Sequence, residues 1–127
     1  MRRVIAAAVS VVWTLAAANV EAQSGDAERG ERLFNQQCKI CHTVDKDGAN
    51  LVGPNLSGMF GRRSGATKGF ASSEAMTKSA IVWDDKTLGD YLKDPKGRVP
   101  GTKMVYAGLK RQEQLDDLIV YLRKATQ

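Results

Sequence analysis

The sequence predicts an all-α domain: three main helices plus short helical turns, joined by glycine-rich loops. Apolar residues recur at helical spacing in three places, and side chains suited to N-capping stand just before the first two. No stretch reads as a strand. At 127 residues the chain is the size of one small domain with a modest core.

Asp26 is the expected N-cap of a first helix running to about Gln37, with Leu33 and Phe34 on its inner side. Residues 45–70 are rich in Gly, Asn and Pro and read as long irregular structure, including Gly53-Pro54-Asn55, Gly58, Gly61, Gly65 and Gly69. A compact domain tolerates such a stretch poorly unless something rigid organises it. Ser73 to Thr77 makes a short helical turn. Asp84 or Asp85 caps the next helix, whose stripe is Leu88, Tyr91 and Leu92 and which Pro95 closes. A second loop, Lys96 to Gly108, contains Pro100-Gly101-Thr102-Lys103-Met104. The last helix spans about Arg111 to Lys124, with Leu115, Leu118, Ile119 and Leu122 at helical spacing and two cations in its final turn.

The first residues stand apart from this pattern. Met1-Arg2-Arg3 is a basic start, Val4 to Ala18 is an apolar run broken by Ser10 and Thr14, and Val20-Glu21-Ala22 offers small residues for cleavage. That order is a secretory signal peptide over residues 1–22, leaving a domain over 23–127; the run is short for an anchor helix. The expected location is therefore the periplasm, with cleavage near Ala22 and no stable membrane anchor afterwards. Removing Arg2, Arg3 and Glu21 from 19 basic and 14 acidic residues leaves 17 and 13, a formal charge of +4. The cations are scattered among acids with no arginine-rich run, which points to an acidic protein face rather than nucleic acid.

Both cysteines lie in Cys38-Lys39-Ile40-Cys41-His42, the attachment signature of a c-type haem. Two residues between the thiols let both sulfurs reach one edge of a planar porphyrin, and the adjacent histidine then lies under the ring. His42 is the sole histidine. A thioredoxin-like pair wants a βαβ context, and zinc wants four ligands where three exist. A disulfide closing so small a loop removes little chain entropy. The sixth iron position is left to Met, Lys, Tyr, water or nothing. Of Met59, Met76 and Met104, Met104 is the best candidate, because Pro100 and Gly101 fix a turn that can present a soft thioether.

These residues, with Gly53-Pro54-Asn55-Leu56, Phe60-Gly61-Arg62, Thr87-Leu88, Tyr91-Leu92, Pro100 to Met104 and Asp117-Leu118-Ile119 with Tyr121-Leu122, resemble class I cytochrome c. The likeness is strongest to its short bacterial, mitochondrial-like members and covers Gly30 to Tyr121. The resemblance implies one haem c bound covalently through Cys38 and Cys41, with the fold wrapped around it. It implies His42 and Met104 as axial ligands, with the Pro54 carbonyl accepting the histidine's other N–H. Arg62 and Trp83 look like the residues that hold a buried propionate, Tyr91 like the hydroxyl near the methionine sulfur, and Thr102 like its polar partner. Gly30, Phe34, Leu118 and Tyr121 match the crossing of the first and last helices. Where the family has a tyrosine two residues after Gly69-Phe70, this chain has Ser72.

The implied function is one-electron transport by a monomeric carrier, not enzymatic turnover. Transient acidic partners would dock through Lys39, Lys96, Lys103, Lys110 and Arg111: a ubiquinol–cytochrome c reductase, a terminal oxidase, a reaction centre or a periplasmic dehydrogenase. The alternative is a haem enzyme or gas sensor whose sixth position is open or weakly held.

Overall fold

The computed structural model describes residues 25–127; the leader expected over 1–22 lies outside the described residues. Five helices follow one another: α1 Ala27–Gln37, α2 Glu74–Ser79, α3 Asp85–Lys93, α4 Pro95–Arg98 and α5 Gln112–Ala125. Among the described residues the strand-like pairing is a single bridge between Arg63 and Val82. None of these helices is long and apolar enough to cross a membrane.

Local chemistry sets the helix starts. The Asp26 carboxylate accepts from the Arg29 amide at 2.9 Å, Ser73 accepts from Met76 at 3.0 Å, and Asp84 with Thr87 forms a reciprocal capping box. The segment after Pro95 differs from expectation. Pro95 does close α3, but it also opens α4 as that helix's first residue. A proline needs no amide partner in a first turn, and Asp94 supplies the cap by accepting from Gly97. Residues 95–98 are therefore helical, and the loop begins after them.

The core forms where α1 crosses α5. Leu33 and Phe34 of α1 meet Leu115, Leu118, Ile119 and Leu122 of α5, and the Phe34 and Tyr121 rings lie 5.5 Å apart. Gly30 makes that approach possible: a Cβ there would run into the Asp117 carbonyl and the Tyr121 Cβ. Leu88 and Leu92 bring α3 onto the same cluster, while Tyr91 turns with Ile81 and Val99 into a second one. Asp117 is 4% exposed within the apolar face of α5. It accepts from Arg29 Nε at 2.8 Å, the second Arg29 nitrogen at 2.9 Å and the Asp26 amide at 2.6 Å. The start of α1 is thus bolted to the middle of α5, leaving the other side of the domain to the loops.

Candidate haem site

A cavity of about 230 Å³ opens between α1, α3, α5 and the loops. Cys38, Cys41 and His42 form one part of its lining, and Met104 and Tyr91 another. Cys38 ends α1, its amide donating to the Phe34 carbonyl at 2.8 Å. The chain then turns tightly, with the Cys41 and His42 amides both donating to the Cys38 carbonyl at 3.0 Å. This brings the two thiols and the imidazole together in the cavity lining.

His42 is held in one tautomer. Its Nδ1–H donates to the Pro54 carbonyl at 2.8 Å, so the Nε2 lone pair is left free to bind a metal. Burial lowers its pKa, outweighing the opposing effect of that hydrogen bond, and so favours the neutral, ligating form. Gly53 lies against the ring so closely that a Cβ would enter it. The strap carrying Gly53 and Pro54 is pinned by Gly53 N to Cys41 O at 2.8 Å. Asn55 secures it further, accepting from Ser57 N and donating to Thr43 Oγ1 at 2.6 Å.

Burial, aided by the neighbouring Cys41, pushes the Cys38 thiol up to about 11. A dithiol exchange pair needs the opposite shift, because the thiolate is the nucleophile. The Cys38 thiol is therefore a poor attacking group for disulfide exchange.

On the methionine side, the Tyr91 hydroxyl donates to Met104 Sδ at 3.4 Å and lies 2.8 Å from Thr102 Oγ1. The Met104 amide donates to the same Thr102 oxygen at 3.3 Å. Met59 and Met76 also line the cavity, but Met59 packs into the main cluster and Met76 against the second. Neither thioether has such a polar bracket.

Short backbone pairing of residues 61–64 with 81–83 brings Arg62 and Trp83 together, with Trp83 N donating to Arg62 O at 3.1 Å. The Arg62 guanidinium reaches the cavity and donates to the carbonyls of Ser57 at 2.9 Å and Asn55 at 3.4 Å. Burial lowers its pKa, and it has no carboxylate partner among the described residues. A half-buried cation without a counter-charge suits an anionic group on the cavity's contents. Trp83 packs on Tyr91, ring centroids 5.4 Å apart. Ser72 also lines the cavity.

The cations expected at a docking face divide. Lys103 lines the cavity and donates to the Ala71 carbonyl at 3.3 Å, and Lys39 is exposed beside the cysteines. Lys110 donates to the Lys93 carbonyl at the end of α3, and Arg111 pairs with Glu113 at 3.5 Å. Lys96 is exposed on α4. Composition does not mark the exposed aliphatic residues: Ile40, Val52 and Val105 are 82%, 80% and 95% exposed, and Val52 and Val105 line the cavity. Such exposure is invisible in a sequence, where an aliphatic residue reads as core.

Paired thiols, a tautomer-locked imidazole, a bracketed thioether and a guanidinium with no carboxylate partner among the described residues, all around one apolar cavity, fit a covalently held haem, which defines a c-type haem protein. Comparison with known proteins gives the same answer. A sequence model described as Cytochrome c matches residues 27–126, and the chain belongs to the cytochrome c family. It is 48% identical over 106 residues to a cytochrome c of Sesamum indicum, covering 84% of this chain and 96% of that one. Against a cytochrome c of Chlamydomonas reinhardtii the identity is 50%, over 84% and 95% of the two chains. Against one of Gibberella zeae it is 45%, over 80% and 96%. The chain is an all-α class I cytochrome c, a haem electron carrier with one haem c attached through Cys38 and Cys41.

The same relatives overturn the periplasmic location expected from the leader. They are plant, algal and fungal proteins, and eukaryotic cytochrome c sits in the mitochondrial intermembrane space. The periplasmic reading rested on the composition of residues 1–22, which lie outside both the family match and the described structure.

Proposed function

We propose that the chain carries single electrons between protein partners with His42 and Met104 as its two axial ligands, and that partners meet it at the mouth of the cavity. The observation that carries this reading is the bracketing of both ligands: His42 Nδ1 on the Pro54 carbonyl and Met104 Sδ under the Tyr91 hydroxyl. When bound, the haem iron supplies the one-electron Fe(III)/Fe(II) couple.

The chain's own groups do the rest. Pro54 and Gly53 hold the imidazole in one plane, and Thr102 and Tyr91 hold the thioether, so both ligands keep their places in either oxidation state. Little then has to move on electron transfer, which keeps exchange fast. A soft thioether and a largely apolar cavity favour the reduced state. Arg62 and Trp83 hold the propionate edge. Val52 and Val105, exposed and lining the cavity, supply an apolar contact, with Lys39 and Lys103 attracting an acidic partner of the reductase or oxidase kind. Lys96, Lys110 and Arg111 add to the positive field. Residues 1–22 are a leader removed from the finished protein; N-terminal sequencing that begins near Gln23 supports this, and a start at residue 1 or 2 removes it.

Voltammetry of the haem-loaded protein tests the carrier reading. A reversible wave with the slope of one electron is expected, displaced to lower potential in Met104→Ala. An irreversible wave, or one governed by an added exogenous ligand in the wild type, would support an open sixth position instead.

A further inference from the structure

Met104 lies in a stretch without regular secondary structure between α4 and α5. Upstream, the stretch is tied by Thr102 N to Val99 O at 3.0 Å, by the Thr102–Tyr91 contact and by Lys103 to Ala71. Downstream, the next backbone tie is Leu109 N to Leu92 O at 2.8 Å. Between them, among the described residues, the four residues 105–108 make one hydrogen bond to the rest of the chain. It runs from the Tyr106 hydroxyl to Gln37 Oε1, at 2.7 Å.

The partner's location gives that bond its meaning. Gln37 is the last residue of α1 and immediately precedes Cys38. Tyr106 packs its half-buried ring against the main apolar cluster, and both residues line the cavity. The contact therefore joins the methionine-bearing segment to the cysteine-bearing end of α1, across 69 positions of sequence.

We propose that Tyr106 is a positioning residue: through Gln37 it fastens the segment following Met104 across the cavity mouth and so keeps the thioether in place. The proposal rests on Met104 being the sixth ligand. Tyr106 would supply no ligand itself; it raises the cost of swinging Met104 outward, because that motion must first break the tie to α1. Losing one neutral hydrogen bond should ease displacement of Met104 by roughly 2- to 10-fold.

The test is titration of the oxidised, haem-loaded protein with imidazole, following loss of the absorption band from thioether bound to Fe(III). Tyr106→Phe keeps the ring and its packing but removes the donor; Gln37→Ala removes the acceptor. Each should bind imidazole 2- to 10-fold more tightly than the wild type, and the double variant no more tightly than either single one. Gln37→Glu retains an acceptor and should behave like the wild type. Imidazole affinity unchanged in Tyr106→Phe overturns the proposal, as do single-variant effects that multiply in the double. A band absent from the wild type instead overturns Met104 ligation, and this proposal with it. Midpoints of thermal unfolding for the reduced proteins separate positioning from general support: positioning leaves them close to the wild type, whereas a drop matching the affinity change counts against it.

Discussion

Asp117, buried in the middle of α5, receives two nitrogens of Arg29 in α1 at 2.8 and 2.9 Å. The pair fastens the two helices whose crossing forms the core, and it does so at the residue where Gly30 brings them closest. The hydrogen bonds from Arg29, followed by that from the Asp26 amide, hold the Asp117 carboxyl below its ordinary value despite burial. A carboxylate lowered in the folded state contributes stability that is fully present above the ordinary pKa. That contribution is lost as pH falls through the lower folded value. Asp117→Asn should therefore cost about 2 kcal/mol at neutral pH. Its thermal midpoint should also decline less steeply than the wild type's below roughly pH 4. Denaturation curves across a pH series check both; parallel curves would exclude the carboxylate as a source of the acid sensitivity.

Two glycines in helices should respond oppositely to alanine. At Gly30 the added methyl meets backbone of α5, which cannot swing aside, so Gly30→Ala should cost about 2 kcal/mol or more as the helices separate. At Gly89 in α3 the methyl would lie 3.5 Å from Ile119 Cδ1, an ordinary contact. Gly89→Ala should therefore stabilise by about 0.5–1 kcal/mol through helix propensity. Urea midpoints for the two variants decide this.

Ala80, the residue after α2, has φ +53, the left-handed region where a side chain is strained. Ala80→Gly should relieve that strain while loosening the unfolded chain, for a net gain of about 0.5 kcal/mol. Equilibrium unfolding showing a loss would mean that the Ala80 methyl contributes more packing than its backbone costs.

These residues also show how far the sequence could be read. Caps and stripes are local, so Asp26 and the Asp84-Asp85 pair announce their helices, and the apolar spacing of α5 marks its buried face. Pro95 misleads because one residue performs two functions: it ends α3 and begins α4, with Asp94 serving both. Asp117 stands in an acidic pair beside the stripe and resembles any solvated residue; Arg29, 88 positions away, and the Asp26 amide, 91 away, make it a core group. The site was legible where its chemistry is contiguous, from Cys38 to His42. The Tyr106–Gln37 tie, the Asn55 bonds that fix the histidine strap and the exposed Ile40, Val52 and Val105 depend on loops folding back over one another, which periodicity does not encode.

Charge at the cavity mouth should govern encounter. Lys39→Glu with Lys103→Glu should slow association with an acidic redox partner by roughly tenfold at low salt. The deficit should shrink as the Debye length falls to about 8 Å at physiological ionic strength and further above it. Lys110→Glu, whose ammonium rests on the end of α3, should slow association less and reduce stability more. Stopped-flow electron transfer across a salt series reads both effects, and equal rates for all three proteins would place docking elsewhere.

The carrier account depends most on the bond between Met104 and iron, and the absorption spectrum of the oxidised, haem-loaded protein tests it most directly. The account predicts a weak band toward the red end from thioether bound to Fe(III) in the wild type. It predicts loss of that band in Met104→Ala, with the haem still covalently attached by mass. A wild type without the band, or a Met104→Ala protein that retains it through Met59 or Met76, would contradict the account.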